Sequence, residues 1–145
     1  MMKMIHSLWA YIVLITIIVT VINAFMGLKS KGEFKPKDLR IALFALIATH
    51  IQLIFGFIAY YTSSFYTVMR EVGIGEVMKS PEIRKPLIEH PMLIIIAVIL
   101  ITIGFSKHKK KTTDVAKFKT IAIFYTIALL LILAVIPWGL WFSNN

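Results

Sequence analysis

Four long apolar stretches, whose few charged residues lie near their ends, constrain the fold of this chain more than any other feature. Each is about as long as the roughly 20 residues that an α-helix needs to cross the hydrocarbon core of a bilayer. Because lipid offers the backbone no hydrogen-bond partners, such a stretch satisfies its amides only within a helix or a closed barrel. The predicted membrane spans cover residues 5–26, 39–61, 86–106 and 118–142.

The composition agrees with this assignment and removes several kinds of chemistry. Hydrophobic residues make up 59% of the 145 residues and charged residues 16%, whereas a soluble domain has about half and about a quarter. The mean hydropathy is +0.83. The chain has no cysteine, which excludes disulfides, thiolate metal sites and thiol catalysis.

The basic residues concentrate in two of the three connections between the spans. Loops 27–40 (GLKSKGEFKPKDLR) and 106–119 (SKHKKKTTDVAKFK) are rich in lysine, whereas loop 62–85 mixes basic with acidic residues. The positive-inside rule then places both lysine-rich loops in the cytoplasm, and both termini and the middle loop outside. Since short connections favour antiparallel neighbours, the sequence predicts an all-α integral membrane protein, a four-helix up-down-up-down bundle.

The net charge of +9 has the same explanation. In a soluble protein, a charge of this size would suggest nucleic acid as a partner. Here the lysines lie between apolar runs, so they indicate orientation in a lipid bilayer and contact with anionic headgroups. We therefore expect the lipid bilayer, and no nucleic acid, as the partner of these loops.

The middle loop contains a helical pattern. Phe65, Val68, Met69 and Val72 follow the spacing i, i+3, i+4 and i+7, which places them on one face of a helix. The spacing predicts a short helix over residues 65–72 that lies on the outer membrane surface. An ordinary loop is the alternative interpretation.

Three of the four histidines, His6, His50 and His90, lie within or at the edge of the predicted spans. Polar side chains inside spans usually face the bundle interior and are candidate functional residues. A lone histidine can also simply form a hydrogen bond between helices. The fourth, His108 in KHKKK, is interpreted as a solvated charge in a cytoplasmic loop.

The depths of the histidines favour one pair as ligands of a single metal. His6 opens the first span and His90 the third, both at the outer face, and these spans are diagonal in an up-down bundle. Two imidazoles at similar depth on diagonal helices can bind the iron of one haem from opposite sides. His50 lies ten residues beyond Arg40, about 15 Å into the membrane, which is deeper than such a haem would lie.

Other polar residues have secondary roles in this hypothesis. His50, together with Thr49 and Gln52, is a reserve candidate for a replacement ligand, a quinone contact or a proton relay. Arg84 and Lys85 lie on the outer side and could neutralise haem propionates, although anchoring at the membrane interface explains them equally well. A zinc site is disfavoured because zinc takes three or four ligands, which must lie at comparable depth.

Four segments resemble small bacterial four-helix membrane proteins of the cytochrome b-like family: IHSLWAY (5–11), ATHIQLIFGFIAYY (48–61), EHPMLIIIAVILITIGFSK (89–107) and KTIAIFYTIALLLILAVIPW (119–138). The chain is also similar, more distantly, to one half of haem A synthase. There, a span that opens with His precedes a span containing Gln-Leu-x-x-Gly and a third span that opens with His. His6, Gln52–Gly56 and His90 match these positions, whereas Ser7 stands where the synthase usually has Arg.

The resemblance implies haem b, bound by His6 and His90, in a multi-pass protein of the bacterial inner membrane. It implies one-electron transfer, with quinone or a respiratory complex as partner, rather than a stand-alone enzyme. Two alternatives stay open: a cofactor-free accessory or assembly subunit whose histidines only bridge helices, and a haem or copper handling protein for oxidase maturation. The sequence also leaves open whether the chain forms a homo- or hetero-oligomer.

Overall fold

The computed structural model describes residues 2–136, and the regular secondary structure in that range is helical throughout. This confirms the all-α prediction for the described residues. The helices are α1 (Met2–Ser30), α2 (Pro36–Tyr61), α3 (Ser64–Val72), α4 (Ile74–Lys79), α5 (Pro81–Arg84), a π-helical turn (Lys85–Glu89), α6 (His90–Lys109) and α7 (Asp114–Val135).

Within the described residues, four helical segments are long and apolar enough to cross a membrane. Three of them contain the predicted spans completely, and the part of the fourth predicted span from residue 137 onward lies outside the described residues. The four segments indicate a multi-pass protein in a lipid bilayer. They are Met2–Ser30, Pro36–Tyr61, Pro81–Lys109 and Asp114–Val135.

Short polar side chains stabilise the first turns of the helices that follow loops. Asp38, in the first turn of α2, accepts a hydrogen bond from the Lys35 backbone N–H at 2.7 Å. Ser63 caps α3, in the region where the spacing predicts a helix, because its hydroxyl accepts from the Tyr66 N–H at 3.1 Å. α3 ends at Gly73, whose φ of 86° lies in the region that favours glycine.

The four long helices form a ring in which α1 packs against α2 and α7, and α6 packs against the same two helices. Small residues, such as Ala45, Ala97 and Ala128, are fully buried at the contacts and let the backbones approach closely. Two long-range hydrogen bonds cross the core, from Tyr125 Oη to the Ala42 carbonyl and from Trp9 Nε1 to the Ala48 carbonyl, each at 2.9 Å. The bundle is thus held by close packing together with side-chain bonds to backbone oxygens.

The close packing of α6 against α7 can be tested at Gly104. A Cβ atom at Gly104 would overlap the side chain of Phe124, so α6 and α7 can approach this closely only with glycine there. We expect Gly104→Ile to lower the thermal stability of the detergent-solubilised protein, by about 1–3 kcal/mol in unfolding free energy. Gly75→Ile is the control, because a Cβ there meets no atom within 4 Å. Equal melting temperatures for the two variants would contradict the packing.

The lysine-rich loops meet at one end of the bundle, which is called the basic end below. Asp38 is buried there and also accepts from Asn23 Nδ2 at 2.8 Å. The Phe34 backbone N–H donates to Asp114 Oδ1 at 3.0 Å, which connects the loop before α2 to the start of α7. Both carboxylates therefore stabilise the loop between α1 and α2. The hydrogen bonds come from backbone N–H groups and from Asn23, and none of them involves a lysine side chain.

His108 corrects one interpretation made from the sequence. It is fully buried, with its ring 5.3 Å from the ring of Phe34 and 4.8 Å from that of Phe105, so it is not a solvated charge. Its Nδ1 donates to the Phe105 carbonyl. The interpretation was wrong because α6 continues to Lys109, which puts His108 on the same inward face as Ile101 and Phe105.

Candidate functional site

The structure brings His6 and His90 into contact. Their ring centroids lie 6.2 Å apart and their ring planes are nearly perpendicular, at 84°. His6 belongs to α1 and His90 is the first residue of α6, two helices that each pack between α2 and α7. Both side chains are partly buried. The two imidazoles therefore meet inside the bundle rather than on its outer surface.

The backbone on both sides of His90 fixes its ring. The backbone N–H of His90, directly after the π-helical turn, donates to the carbonyl of Lys85, five residues earlier. On the other side, His90 Nδ1 donates to the Val135 carbonyl at 3.0 Å. Because a carbonyl can only accept, this bond places the ring proton on Nδ1 and leaves the lone pair of Nε2 for another partner.

The Val135 carbonyl is available for this bond because α7 ends there. The next residue, Ile136, is extended with a ψ of 132°, as expected for a residue that precedes a proline, here Pro137. The last carbonyls of a helix have no partner within the helix, so a side chain can take them. The contact was not foreseen from the sequence, although the Ile-Pro pair was a usable signal for where the helix ends.

His6 is held from α2 by Gln52 and Gly56. Gln52 Nε2 donates to the His6 backbone carbonyl at 2.8 Å. One turn further along α2, a Cβ at Gly56 would lie 3.2 Å from His6 Cε1 and 3.6 Å from His6 Nδ1, so the ring packs directly on the bare backbone of α2. The structure thus joins His6, Gln52 and Gly56, the three positions that the sequence pattern singled out on these helices.

Three buried polar atoms in or beside the pair have no hydrogen-bond partner among the described residues. They are His6 Nδ1, Gln52 Oε1 and Glu89 Oε2, the last of which has only the Arg84 ion pair at 3.8 Å. Buried polar atoms in proteins are usually paired, so unpaired ones often mark a functional site or an unmet ligand. Unpaired polar atoms therefore lie on both sides of the histidine pair, at the contact of α1 with α2 and at the start of α6.

The spacing of the two rings is compatible with two imidazoles that bind one metal, as in a haem with two histidine ligands. An imidazole nitrogen binds a transition metal at about 2 Å, so two rings on one metal have centroids roughly 6 Å apart. The observed separation is 6.2 Å. Within residues 2–136 no group of three or more His, Asp or Glu side chains is placed to hold a metal ion. A haem requires only two axial ligands, since its porphyrin supplies the others.

Arg84 and Lys85 lie in the segment that leads into His90. Arg84 is half-buried and forms an ion pair with Glu89, with Nε 3.8 Å from Oε2, and donates from Nη1 to the Met78 carbonyl at 3.1 Å. Lys85 is exposed. The positive charge of Arg84 is therefore already balanced in part by Glu89, which makes Lys85 the freer of the two cations.

His50 lies apart from this site. It is exposed, its Nδ1 donates to the Leu46 carbonyl at 2.8 Å, and it lines an apolar surface groove of about 300 Å³ on α2. Two residues along a helix correspond to a rotation of about 200°, so His50 and Gln52 point to opposite sides of α2. The structure does not bring His50 together with His6 and His90.

Comparisons with known proteins give no assignment for the chain. No family model matches it, and no curated protein and no solved structure matches it either. The cytochrome b-like resemblance therefore stays an expectation that rests on the quoted residues. The functional conclusion depends on the geometry of the histidine pair.

Proposed function

We propose that this chain is a membrane-bound, b-type cytochrome-like protein that transfers single electrons through a haem b held by His6 and His90. The observation that supports this function is the separation of 6.2 Å between the two ring centroids, across a contact of α1 with α6. Two imidazoles from different helices that meet inside an apolar bundle can both bind the iron of one haem. A cofactor-free accessory or assembly subunit does not require this separation, whereas a haem-handling protein would use the same pair and differs in how readily the haem exchanges.

The proposal includes the orientation of the chain in a bacterial inner membrane. The helices form an up-down-up-down bundle with the basic end in the cytoplasm and both termini outside, by the positive-inside rule. Contacts between α1 and α2 support antiparallel neighbours, because Asn23 pairs with Asp38 at one end and His6 with Gln52 at the other. His6 and His90 would then lie near the outer surface.

Each residue of the site has a defined part in this function. His6 and His90 would hold the haem through their ring nitrogens, and the Val135 carbonyl keeps Nε2 of His90 free by holding the proton on Nδ1. Gly56 provides the space in which the His6 ring lies. Lys85 is the better candidate for a propionate, because Arg84 is engaged by Glu89. When bound, the haem supplies the one-electron chemistry.

The optical spectrum of the detergent-purified protein tests this function. Protein from haem-replete cells should show a Soret band, and sharp α-bands after reduction with dithionite. A colourless preparation would favour the cofactor-free accessory or assembly subunit, in which the histidines only bridge helices. Haem that exchanges readily with added apoprotein would favour a haem-handling role in oxidase maturation.

The position of His50 favours one of its three earlier roles, the quinone contact. Its ring lines an apolar groove, and the hydrogen bond from Nδ1 to Leu46 leaves Nε2 as a lone acceptor in the hydrocarbon region. A polar group facing lipid is unfavourable unless it finds a partner. The hydroxyl of a lipid-soluble hydroquinone provides a donor attached to an apolar ring.

We therefore expect His50→Leu to keep the low-spin spectrum of the protein. Its reduction by a hydroquinone in liposomes should slow by roughly tenfold, the effect of one hydrogen bond in a membrane. Stopped-flow spectroscopy measures this rate, and Ile54→Leu, in the same groove, is the control. A wild-type rate in His50→Leu would remove the quinone contact but not the haem ligands.

A further inference from the structure

Gln52 and His6 each carry a buried atom that lacks a hydrogen-bond partner, although the two residues already touch. Gln52 is only 8% exposed and donates from Nε2 to the His6 carbonyl at 2.8 Å. Its second amide atom, Oε1, and the ring atom His6 Nδ1 are both buried and unpaired among the described residues. One end of the amide therefore holds the backbone of His6, while the other end is left for a donor.

The chemistry of the two unpaired atoms is complementary. An amide oxygen only accepts, and an imidazole Nδ1 that carries the ring proton donates. Leaving either group unpaired in an apolar bundle is unfavourable, because the group has given up its hydrogen bonds with water. A hydrogen bond between them, made directly or through one water, satisfies both atoms at once.

The partner ring already shows this arrangement. His90 donates from Nδ1 to the Val135 carbonyl, which leaves its Nε2 free. Metal-binding histidines almost always donate their other ring N–H to such an acceptor, which fixes the tautomer and the orientation of the ring. Two acceptors lie among the groups shown to contact His6, namely His90 Nε2 and the Gln52 side chain. Because the proposed function reserves His90 Nε2 for iron, the Gln52 side chain is the acceptor that remains for His6.

We propose that Gln52 is the positioning residue of His6. Its Nε2 holds the His6 backbone, and its Oε1 accepts the proton of His6 Nδ1, so that the lone pair of Nε2 is presented to iron. The effect on iron rests on the proposed function, whereas the effect on the tautomer of His6 does not require bound haem.

A consequence for the reduction potential follows from this bond. An acceptor on Nδ1–H makes the imidazole a stronger base, which favours ferric over ferrous iron. Removing the acceptor should therefore weaken the binding of the ferric form relative to the ferrous form and raise the potential. A tenfold change in that ratio corresponds to about 59 mV for a one-electron couple.

The experiment compares Gln52→Met, which keeps the size of the side chain without its amide, with Gln52→Glu. A protonated glutamic acid retains one donor and one acceptor, so it should restore what Met removes. The first readout is ¹⁵N NMR of histidine-labelled, haem-free protein, in which the His6 signals are identified by their loss in His6→Ala. The second readout is the midpoint potential of the haem-loaded protein, measured by redox titration.

We expect wild-type His6 to carry its proton on Nδ1, Gln52→Met to give a mixture of tautomers, and Gln52→Glu to return to Nδ1. We expect the potential to rise by about 59 mV in Gln52→Met, for a tenfold effect. An unchanged tautomer and an unchanged potential in Gln52→Met would overturn the role of Gln52, while the haem function would stand. Protein that never binds haem would overturn the proposed function, and the NMR result would still decide the role of Gln52.

Leu53→Met on the same helix is the matched control. It introduces the same side chain one position away from Gln52, where it does not replace the amide that contacts His6. Its His6 tautomer and its potential should equal those of the wild type. A change of the same size in Leu53→Met would show that a general repacking of α2, rather than the lost acceptor, causes the effect, and would overturn the proposal.

Discussion

Replacing either His6 or His90 by alanine is expected to abolish the low-spin haem spectrum of the purified protein. Each variant removes one of the two imidazoles whose ring centroids lie 6.2 Å apart, so iron would lose one of its two protein ligands. Loss of a supporting partner alone typically weakens metal binding by about 10–100-fold, and loss of a ligand should weaken it more. The measurement is the pyridine haemochrome content per protein, together with the Soret and α-band positions.

The matched control for both variants is His50→Ala. His50 is on the exposed side of α2 and contacts neither ring of the pair, so its removal should leave the low-spin spectrum intact. Far-UV circular dichroism should be the same for the three variants, because none of the side chains belongs to the buried apolar core. A low-spin spectrum that survives in His6→Ala and His90→Ala but is lost in His50→Ala would reverse the ligand assignment.

The architecture could be predicted from the sequence because it follows from local physics. A run of apolar residues long enough to cross lipid must form a helix, whatever its neighbours are. The contact between His6 and His90 could also be anticipated, since equal depth at the start of two diagonal spans brings two side chains to the same level. These inferences needed only helix length and the distribution of lysines, which can be read from the sequence.

Which side of α2 points into the bundle could not be predicted in this way. His50 was expected to follow the general rule that polar side chains in spans face inward, yet it is exposed. The buried residues of α2 are small or polar and follow a helical period that excludes position 50: Ala42, Ala45, Ala48, Thr49 and Gln52. In lipid the usual apolar signal cannot mark the inward face, because both faces are apolar, so the small residues were the better guide.

The burial of His108 and the bond of His90 to Val135 depend on tertiary contacts. His108 is covered by Phe34, which lies 74 positions earlier in the chain. His90 meets the last carbonyl of α7, and this contact requires both the end of that helix and the packing of α6 on α7. The helices themselves could be predicted from the sequence. The contacts between them could not, because periodicity describes one helix without its neighbours.

Gly56→Leu is expected to reduce haem binding by at least about tenfold while both histidines remain in place. The His6 ring packs on the backbone at Gly56, where even a Cβ would be 3.2 Å from Cε1. A leucine side chain would occupy the space of the ring and turn it away from His90. Gly56→Ala should have a smaller effect, because the ring can move by a few tenths of an ångström. Haem content and the fraction of low-spin iron measure both effects.

The comparison with Gly104→Ile separates damage to the site from damage to the fold. Leucine is a better helix former than glycine by about 1 kcal/mol, so Gly56→Leu should not weaken α2 itself. Gly104 contacts Phe124 rather than either histidine, so Gly104→Ile should lower stability and leave the haem spectrum unchanged in the protein that stays folded. A Gly56→Leu protein with a wild-type spectrum would mean that the His6 ring in this position is not an axial ligand. That result would direct the search for the iron ligand to another ring nitrogen of the chain.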